Sequence, residues 1–266
     1  MKQQINKNSW AVITGASGGI GRALAHECAQ DGYNVVLAGR GEQDLRKLAR
    51  EIEKKHGVKN LVFSGDLSDE HTPKKLYQLT QQRKCNVEGL INNAGFGDYG
   101  PFAKSQQVVA TDMIAVNIAA LTVLARLFGA DMVERKSGRI INVASTAAFL
   151  PGPYMAVYYA SKAYVLSLSQ ALSQEWQSSG VTVTALCPGP TKTGFAKTSN
   201  ASKAGIFSGK LPTAEEVARF GFAAMKRGRR VAVHGRRNKL ATQLTRILPR
   251  RWQAAIVARA QRPLKD

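Results

Sequence analysis

Residues 11–21 read AVITGASGGIG, a short apolar run followed at once by a glycine-rich turn. Residues 22–30 then show the periodicity of a helix. A strand, a glycine-rich turn and a helix in this order are typical of a nucleotide site, because glycine lets the backbone approach a pyrophosphate and a helix N-terminus favours an anion. Gly15, Gly19 and Gly21 have the spacing G-x-x-x-G-x-G rather than G-x-G-x-x-G, so the flanking strand and helix carry the inference.

The same alternation of strand and helix patterns continues along the chain. Further strands are predicted at residues 33–38, 61–64, 88–92, 139–144, 181–187 and 230–234. Helices are predicted at residues 42–56, 73–83, 108–134 and 158–177, and a capping box at residues 213–216 begins one more. This order predicts an α/β fold, a Rossmann-type doubly wound sheet of seven parallel strands with helices on both faces. We expect a single domain over residues 1–235 and a basic amphipathic extension over residues 236–266.

Composition sets limits on the class of protein. The chain has 266 residues, 44% of them hydrophobic and 21% charged, so it can bury a full core. Its three cysteines and four histidines are scattered, which argues against a disulfide framework and against a metal site. Residues 1–10 are polar, and no run of eighteen apolar residues follows. We therefore expect no signal peptide and no transmembrane helix, and a cytoplasmic protein.

The end of the second predicted strand indicates which dinucleotide binds. An NAD site carries an acidic residue here, but the chain reads Ala38-Gly39-Arg40. Arg40 can pair with a 2′-phosphate, and a charge-assisted hydrogen bond contributes about 1.5–3 kcal/mol, or roughly 10- to 150-fold in affinity. The sequence therefore predicts NADP(H) in preference to NAD(H). The alternative is an arginine that is merely solvated in a loop.

Two further strand ends contribute to the predicted cofactor site. Asp66 follows the third strand and can accept a hydrogen bond from an adenine amino group, with a helix N-cap as the alternative. The fourth strand ends in residues 92–95 (NNAG), where small side chains leave room for a flat cofactor and the two amides can brace neighbouring loops.

The candidate chemistry lies at residues 145–162 (STAAFLPGPYMAVYYASK). Tyr158 and Lys162 stand at i and i+4, so they share one face of a helix. A lysine ammonium near a phenol favours the phenolate, and we expect the pKa of Tyr158 to fall below about 10, which makes it an acid/base. Ser145, at the end of a strand, can donate to a carbonyl oxygen. Tyr159 is the rival phenol, but it lies about 100° around the helix from Tyr158.

One polar residue interrupts an apolar helix face. Asn117 lies within the helix predicted at residues 108–134, and a buried amide costs stability unless it is hydrogen-bonded. It is therefore either structural or part of a polar relay.

Together, these motifs resemble the short-chain dehydrogenase/reductase family over nearly the whole chain. The resemblance rests on residues 14–21 (TGASGGIG), residues 92–95, Asn117, Ser145, Tyr158, Lys162, Pro188 and Gly189. It implies a catalytic set in which Tyr158 is the general acid or base, Lys162 lowers its pKa and holds the nicotinamide ribose, Ser145 polarises the carbonyl and Asn117 supports a proton-feeding water. The cofactor contacts that it implies are Gly15, Ser17, Gly18, Gly19, Ile20, Gly21, Arg40, Asp66, Leu67, Asn93, Ala94, Gly95, Tyr158, Lys162, Pro188, Gly189, Thr191 and Thr193.

The resemblance also implies a function and an assembly. We expect an NADP(H)-dependent oxidoreductase that interconverts a ketone or aldehyde and an alcohol, and a homodimer or homotetramer, as is usual in the family. Residues 96–100 (FGDYG) and the basic tail are similar to a bacterial subgroup of general reductases. One alternative is a reductase of 3-oxoacyl thioesters on an acyl carrier protein. Another is a non-catalytic dinucleotide sensor or membrane-surface adaptor.

Two segments near the end remain. Residues 191–211 are rich in Lys, Ser, Thr and Gly, which predicts a mobile lid. The net charge is +20, and residues 226–266 alone hold thirteen Lys or Arg and one acid, a net +12. Residues 237–260 predict a helix broken near Pro249 with two apolar stripes: Leu240, Leu244, Ile247 and Leu248, then Trp252, Ile256 and Val257.

Three interpretations of this tail are open. A basic helix with an apolar stripe can lie on an anionic membrane, as a peripheral contact. The plainer interpretation is that it packs on the core or on a second subunit with its arginines in water. Nucleic-acid binding is supported by charge alone, without a recognition motif, and we do not expect it.

Overall fold

Seven of the apolar runs form strands of one sheet. The computed structural model describes residues 8–201, 204–205 and 209–261. The strands are β1 Ser9–Thr14, β2 Asn34–Gly39, β3 Asn60–Ser64, β4 Asn86–Asn92, β5 Gly138–Val143, β6 Val181–Cys187 and β7 Val231–Val233. All of them pair in parallel in the order β3-β2-β1-β4-β5-β6-β7. The predicted seven-stranded, doubly wound sheet is confirmed, and its strand order changes direction between β1 and β4, where ligands bind in such folds.

Helices cover both faces of the sheet. They are α1 Gly19–Gln30, α2 Glu42–His56, α3 Thr72–Gln82, α4 Gln107–Ile114, α5 Leu121–Glu134, α6 Ala156–Glu175, α7 Phe195–Thr198, α8 Ala214–Lys226, α9 Arg236–Leu244 and α10 Arg250–Gln261. α1, α2 and α8 share one apolar core on one side of the sheet, while α3 and α5 pack into another, with α6 beside them.

The local signals for helix ends agree with the structure. α2 ends at Gly57, which adopts a left-handed conformation at φ 68° that favours glycine. At the start of α8, the Thr213 hydroxyl accepts from Glu216 N at 3.2 Å, and the Glu216 carboxylate accepts from Thr213 N at 2.8 Å. The predicted capping box is therefore formed.

The single helix predicted at residues 108–134 is instead three segments. A π-helical turn, Ala115–Ala120, separates α4 from α5. The combined stretch Gln107–Glu134 is long and apolar enough to cross a membrane by length and composition. A core helix satisfies the same criterion, and here Leu124, Phe128 and Met132 pack against the sheet.

Two predicted segments follow β6, the lid at residues 191–211 and the C-terminal tail, and the structure describes only part of the lid. Lys192 bridges to Thr213 and α7 follows, but residues 202–203 and 206–208 of the predicted lid lie outside the described residues. The tail breaks before α10, as predicted near Pro249. One side of α10 packs on the domain, because Val257 joins a buried cluster with Met155 and Tyr159.

Candidate active site

A cavity of about 680 Å³ lies at the carboxyl edge of the sheet, along the ends of β1, β4 and β5. Most of the residues predicted for the site line it: Gly15, Ser17, Gly18, Gly19, Ile20, Arg40, Asp66, Leu67, Asn93, Ala94, Gly95, Ser145, Tyr158, Lys162, Pro188, Gly189, Thr191 and Thr193. Gly21 and Asn117 do not line it and lie behind its wall. The fold therefore brings the predicted cofactor and catalytic residues into one cleft.

The glycine turn is held in a tight conformation. Gly15 adopts φ 63°, and a side chain at Gly21 would collide with the Gly15 carbonyl and the Asn93 amide. The Asn93 Nδ2 donates to Thr14 O at 2.9 Å and to Gly15 O at 3.1 Å, so this amide braces the turn. Gly21 therefore serves close packing of α1 rather than contact with a ligand.

The start of α1 fits a pyrophosphate. The bond from Arg22 N to Gly18 O, at 3.3 Å, closes the first turn, and the amides before Arg22 have no partner within the helix. A side chain at Gly18 would meet nothing within 4 Å, so the approach to these amides is open. Free amides and the positive end of the helix dipole together favour a phosphate group.

Arg40 and Asp66 lie at the rim of the cleft. The Arg40 side chain is 76% exposed, and its Nη1 is 3.9 Å from Asp66 Oδ2. The other Asp66 oxygen accepts from the backbone N and the hydroxyl of Ser68, both at 2.9 Å. These bonds, together with Arg40, hold the pKa of Asp66 below its usual value. Asp66 thus stabilises its own turn and partners Arg40, whose guanidinium stays accessible to an anion.

The catalytic candidates converge from β5 and α6. Ser145 lies two residues after the end of β5; its hydroxyl accepts from Ala147 N at 3.1 Å and donates to Pro188 O at 3.4 Å. Lys162 Nζ donates to Val143 O at 2.8 Å and lies 5.8 Å from the centre of the Tyr158 ring. Tyr158, rather than Tyr159, therefore shares the cleft floor with Ser145 and Lys162.

The expected lowering of the Tyr158 pKa is wrong for this structure. Burial raises the pKa of Tyr158 to about 12, although the hydrogen bond with Ser145 pulls it down. Burial also lowers the pKa of Lys162 to about 8, because the ammonium leaves water. Desolvation is the largest cause of both shifts, and the Lys162 ammonium lies beside the Tyr158 ring and donates to a backbone carbonyl.

Asn117 is fully hydrogen-bonded within the π-helical turn. Its Nδ2 donates to Phe96 O and to Ser161 Oγ, both at 3.0 Å, and its Oδ1 accepts from Phe96 N at 3.1 Å. It joins the loop after β4 to α6. A side chain at Gly95 would approach Asn117 Oδ1 at 2.9 Å and Lys162 Nζ at 3.3 Å, so the bare glycine leaves a gap between these two polar groups.

Sequence reasoning missed the apolar end of the cleft. Phe96, Met155, Tyr159 and Phe195 line it, and the Phe195 ring centre is 5.2 Å from that of Tyr158. Met155 lies just before α6 and three residues before Tyr158, so its nearness in sequence was the one signal that could have identified it. Phe195 carried no such signal, because it lies inside the segment predicted as a lid.

Comparison with known proteins follows this geometry. The family model for the short chain dehydrogenase matches residues 9–204. The chain is 34% identical over 207 residues to "Inactive hydroxysteroid dehydrogenase-like protein 1" of Rattus norvegicus, covering 76% of this chain and 60% of that protein. It is 35% identical over 182 residues to "Very-long-chain 3-oxoacyl-CoA reductase" of Pyricularia oryzae, covering 66% of this chain and 54% of the relative.

A solved structure agrees over more of the chain. A short-chain dehydrogenase from Sphingobium yanoikuyae in complex with NADPH superposes with a TM-score of 0.80 at 28% identity, covering 90% of this chain and 94% of the other. The chain spans about three fifths or less of the length of the curated relatives named above. Fold, motifs and family model agree, and the chain belongs to the short-chain dehydrogenase family.

Proposed function

We propose that the protein is an NADP(H)-dependent oxidoreductase that interconverts a ketone or aldehyde and an alcohol. The convergence of Ser145, Tyr158 and Lys162 in the same cleft as the open amides of α1 carries this proposal. No member of the expected catalytic set is missing.

The cofactor site supports the choice of NADP(H). The glycine turn fits a pyrophosphate, and the exposed guanidinium of Arg40 at the rim of the cleft is available to pair with a 2′-phosphate. The similar protein from Sphingobium yanoikuyae was solved with NADPH. When bound, the cofactor supplies or accepts a hydride at the substrate carbon.

The residues of the chain handle the proton. In reduction, Ser145 and Tyr158 donate hydrogen bonds to the carbonyl oxygen, and the phenol proton moves to that oxygen as the alkoxide forms. The raised pKa of Tyr158 keeps the phenol protonated at neutral pH, which is the form that reduction needs. Lys162, with its pKa lowered to about 8, can return a proton to the phenolate near neutral pH. The gap at Gly95 lies between Lys162 and Asn117, where a proton can reach Lys162 in turn.

The apolar end of the cleft points to an apolar substrate. Met155 and Phe195 flank Tyr158, and Gly97 lies against the same ring, so the space beside the hydroxyl is apolar. A substrate with a bulky hydrocarbon group next to its carbonyl fits this lining.

A 3-oxoacyl thioester reductase is a second candidate. It is favoured by the similarity to a protein named as a very-long-chain 3-oxoacyl-CoA reductase and by the net charge of +20, which attracts an anionic carrier. Turnover of acetoacetyl thioesters but not of simple ketones would select it.

We also infer a homo-oligomer. Val108 and Ile114 of α4 and Tyr164 of α6 are exposed on helices that pack together, and a second copy would cover them. Light scattering measures the mass of the oligomer directly, and Ile114→Ser should reduce that mass.

The proposal is tested by Tyr158→Phe. We expect NADPH oxidation with a panel of ketones and aldehydes to fall at least a hundredfold, because a general acid typically contributes that much, while NADPH affinity stays within about twofold. Tyr77→Phe, which removes a phenol hydroxyl on α3 outside the cleft, is the matched control and should keep full activity. NADPH binding without turnover in any carbonyl assay, unchanged in Tyr158→Phe, would instead select a non-catalytic dinucleotide sensor.

A further inference from the structure

Five large apolar side chains are exposed on the last two helices and on the turn that joins them. Leu240, Leu244, Ile247, Trp252 and Ile256 are 51–81% exposed, and they account for most of the large apolar side chains that are exposed among the described residues. Leu240, Leu244 and Ile247 follow helical spacing, as do Trp252 and Ile256. We call these five, with the basic residues between them, the C-terminal surface.

The C-terminal surface is strongly positive. Its exposed basic residues are Arg236, Arg237, Lys239, Arg246, Arg251 and Arg259, and none of them forms an ion pair with another described residue. No acidic residue occurs in the sequence between Glu216 and Asp266. The Arg251 guanidinium lies 5.9 Å from the Trp252 ring centre, so cation and aromatic ring occupy one patch. The charge is therefore not neutralised within the described chain.

This surface is fixed to the domain rather than free. The Gln253 Nε2 donates to Thr245 O at 2.8 Å and to Leu248 O at 2.7 Å, which ties α10 to the end of α9. At the other end of α10, Gln261 Nε2 donates to Tyr159 Oη at 2.9 Å and Gln261 O accepts from Tyr99 Oη at 2.5 Å. α10 thus lies against the wall of the catalytic cleft, and whatever binds its exposed side is held beside that cleft.

We propose that the C-terminal surface docks on an anionic phospholipid bilayer. Apolar side chains with a Trp enter the headgroup boundary, while arginines lie along it and pair with lipid phosphates. A second copy of this chain is the poorer occupant, because it would bring two uncompensated positive surfaces together. The docking does not depend on the proposed reductase activity, so the two can be tested separately.

Vesicle flotation tests the proposal with the full chain. We compare vesicles of phosphatidylcholine with vesicles of equal phosphatidylcholine and phosphatidylglycerol. The protein is expected to float only with the anionic vesicles, and less so as salt rises. Each basic residue near an anionic surface strengthens binding roughly fivefold, so Arg246→Ser/Arg251→Ser should weaken partitioning about 25-fold.

The apolar part has a matched control. Ile247→Ser should strongly reduce flotation, whereas Phe102→Ser, which removes another exposed apolar side chain away from the C-terminal surface, should leave it unchanged. Brominated lipids should quench the tryptophan fluorescence of Trp252, which is identified as the difference in emission between the wild type and Trp252→Phe. Circular dichroism checks that each variant is folded.

The contrary outcomes are distinct. Equal flotation of Ile247→Ser and wild type would overturn the docking surface. If the wild type does not float and Ile247→Ser halves the mass of the protein in solution, the surface is an interface with a second copy of the chain. Retention on immobilised acyl carrier protein or DNA but not on vesicles would overturn the proposal as well.

Discussion

At the residue scale, the buried position of Lys162 is unfavourable for stability but useful for chemistry. It is 5% exposed and has no carboxylate among its described partners; its ammonium donates to Val143 O. Burial lowers its pKa from 10.5 to about 8. The sequence predicted the pairing of Lys162 with Tyr158 but not this balance, because i,i+4 spacing reports direction along a helix and not the loss of water.

Replacing this lysine should therefore stabilise the ligand-free protein. Between about pH 8 and pH 10.5 the folded protein binds fewer protons at Lys162 than the unfolded chain does. The loss of folding stability that Lys162 causes is therefore complete below about pH 8 and disappears as the pH rises to about 10.5. We expect Lys162→Met to gain up to about 3 kcal/mol at pH 7 and almost nothing near pH 10.5, while losing activity. Urea unfolding at both pH values measures the free energy of unfolding of the variant and of the wild type. A gain in stability that is the same at both pH values would contradict the argument.

Arg40 is the residue that decides between the two dinucleotides. Its guanidinium is exposed and paired only at 3.9 Å with Asp66, so a 2′-phosphate can take its place beside it. We expect Arg40→Asp to weaken NADPH binding roughly 10- to 150-fold and to leave NADH binding little changed. Fluorescence titration with both cofactors measures the ratio. Arg50→Asp, the same charge change on α2 outside the cleft, should not alter it; an equal effect of the two substitutions would mean that only overall charge matters.

At the scale of elements, the sequence predicted every strand and most helices, because apolar periodicity reports burial directly. It failed at the π-helical turn, Ala115–Ala120. Asn117 explains why: its amide bonds to Phe96 and to Ser161 come from segments that are distant in sequence. A pattern within one helix contains no information about partners outside it.

The contact between α1 and α2 should be sensitive to acid. His26 Nδ1 and His56 Nε2 are 3.4 Å apart, with Lys55 and Arg22 close by and Glu51 opposing them. Burial lowers the pKa of both histidines below 6.5, and Lys55 adds to this for His56. The unfolded chain therefore binds more protons here, and stability should fall as pH drops below about 6.5.

Thermal unfolding at pH 7.5 and pH 5.5 tests this contact. The melting temperature of the wild type should drop more between these values than that of His56→Gln, in which only one imidazole remains. His71→Gln, at an exposed position away from this contact, is the control and should follow the wild type. Parallel curves for the wild type and His56→Gln would show that the pair does not control the acid response.

At the scale of the whole molecule, the sheet and the cofactor cleft were predictable, because each motif sits at the end of its own strand and parallel strands end at one edge. The position of α10 was not predictable. Tyr99 and Tyr159 meet Gln261 across 162 and 102 residues of sequence, and neither tyrosine is spaced in a way that points to the tail. The apolar stripes predicted for the tail were correct in outline, but Val257 proved to be buried against the domain while its neighbours remained exposed.

Gln261 therefore connects the end of α10 to the catalytic helix α6, and replacing it should lower the stability of the whole domain. Gln261→Leu removes the bond to Tyr159 Oη and leaves that buried hydroxyl without its partner, which costs about 1–3 kcal/mol. For a domain of this size that lowers the melting temperature by roughly 2–12 °C. The stabilisation by NADPH should be unchanged, because Gln261 lies away from the glycine turn. Arg259→Leu, on the exposed side of the same helix, should stay within about 0.5 kcal/mol of the wild type. Equal melting temperatures for the two variants would mean that α10 contributes no specific contact to the cleft wall.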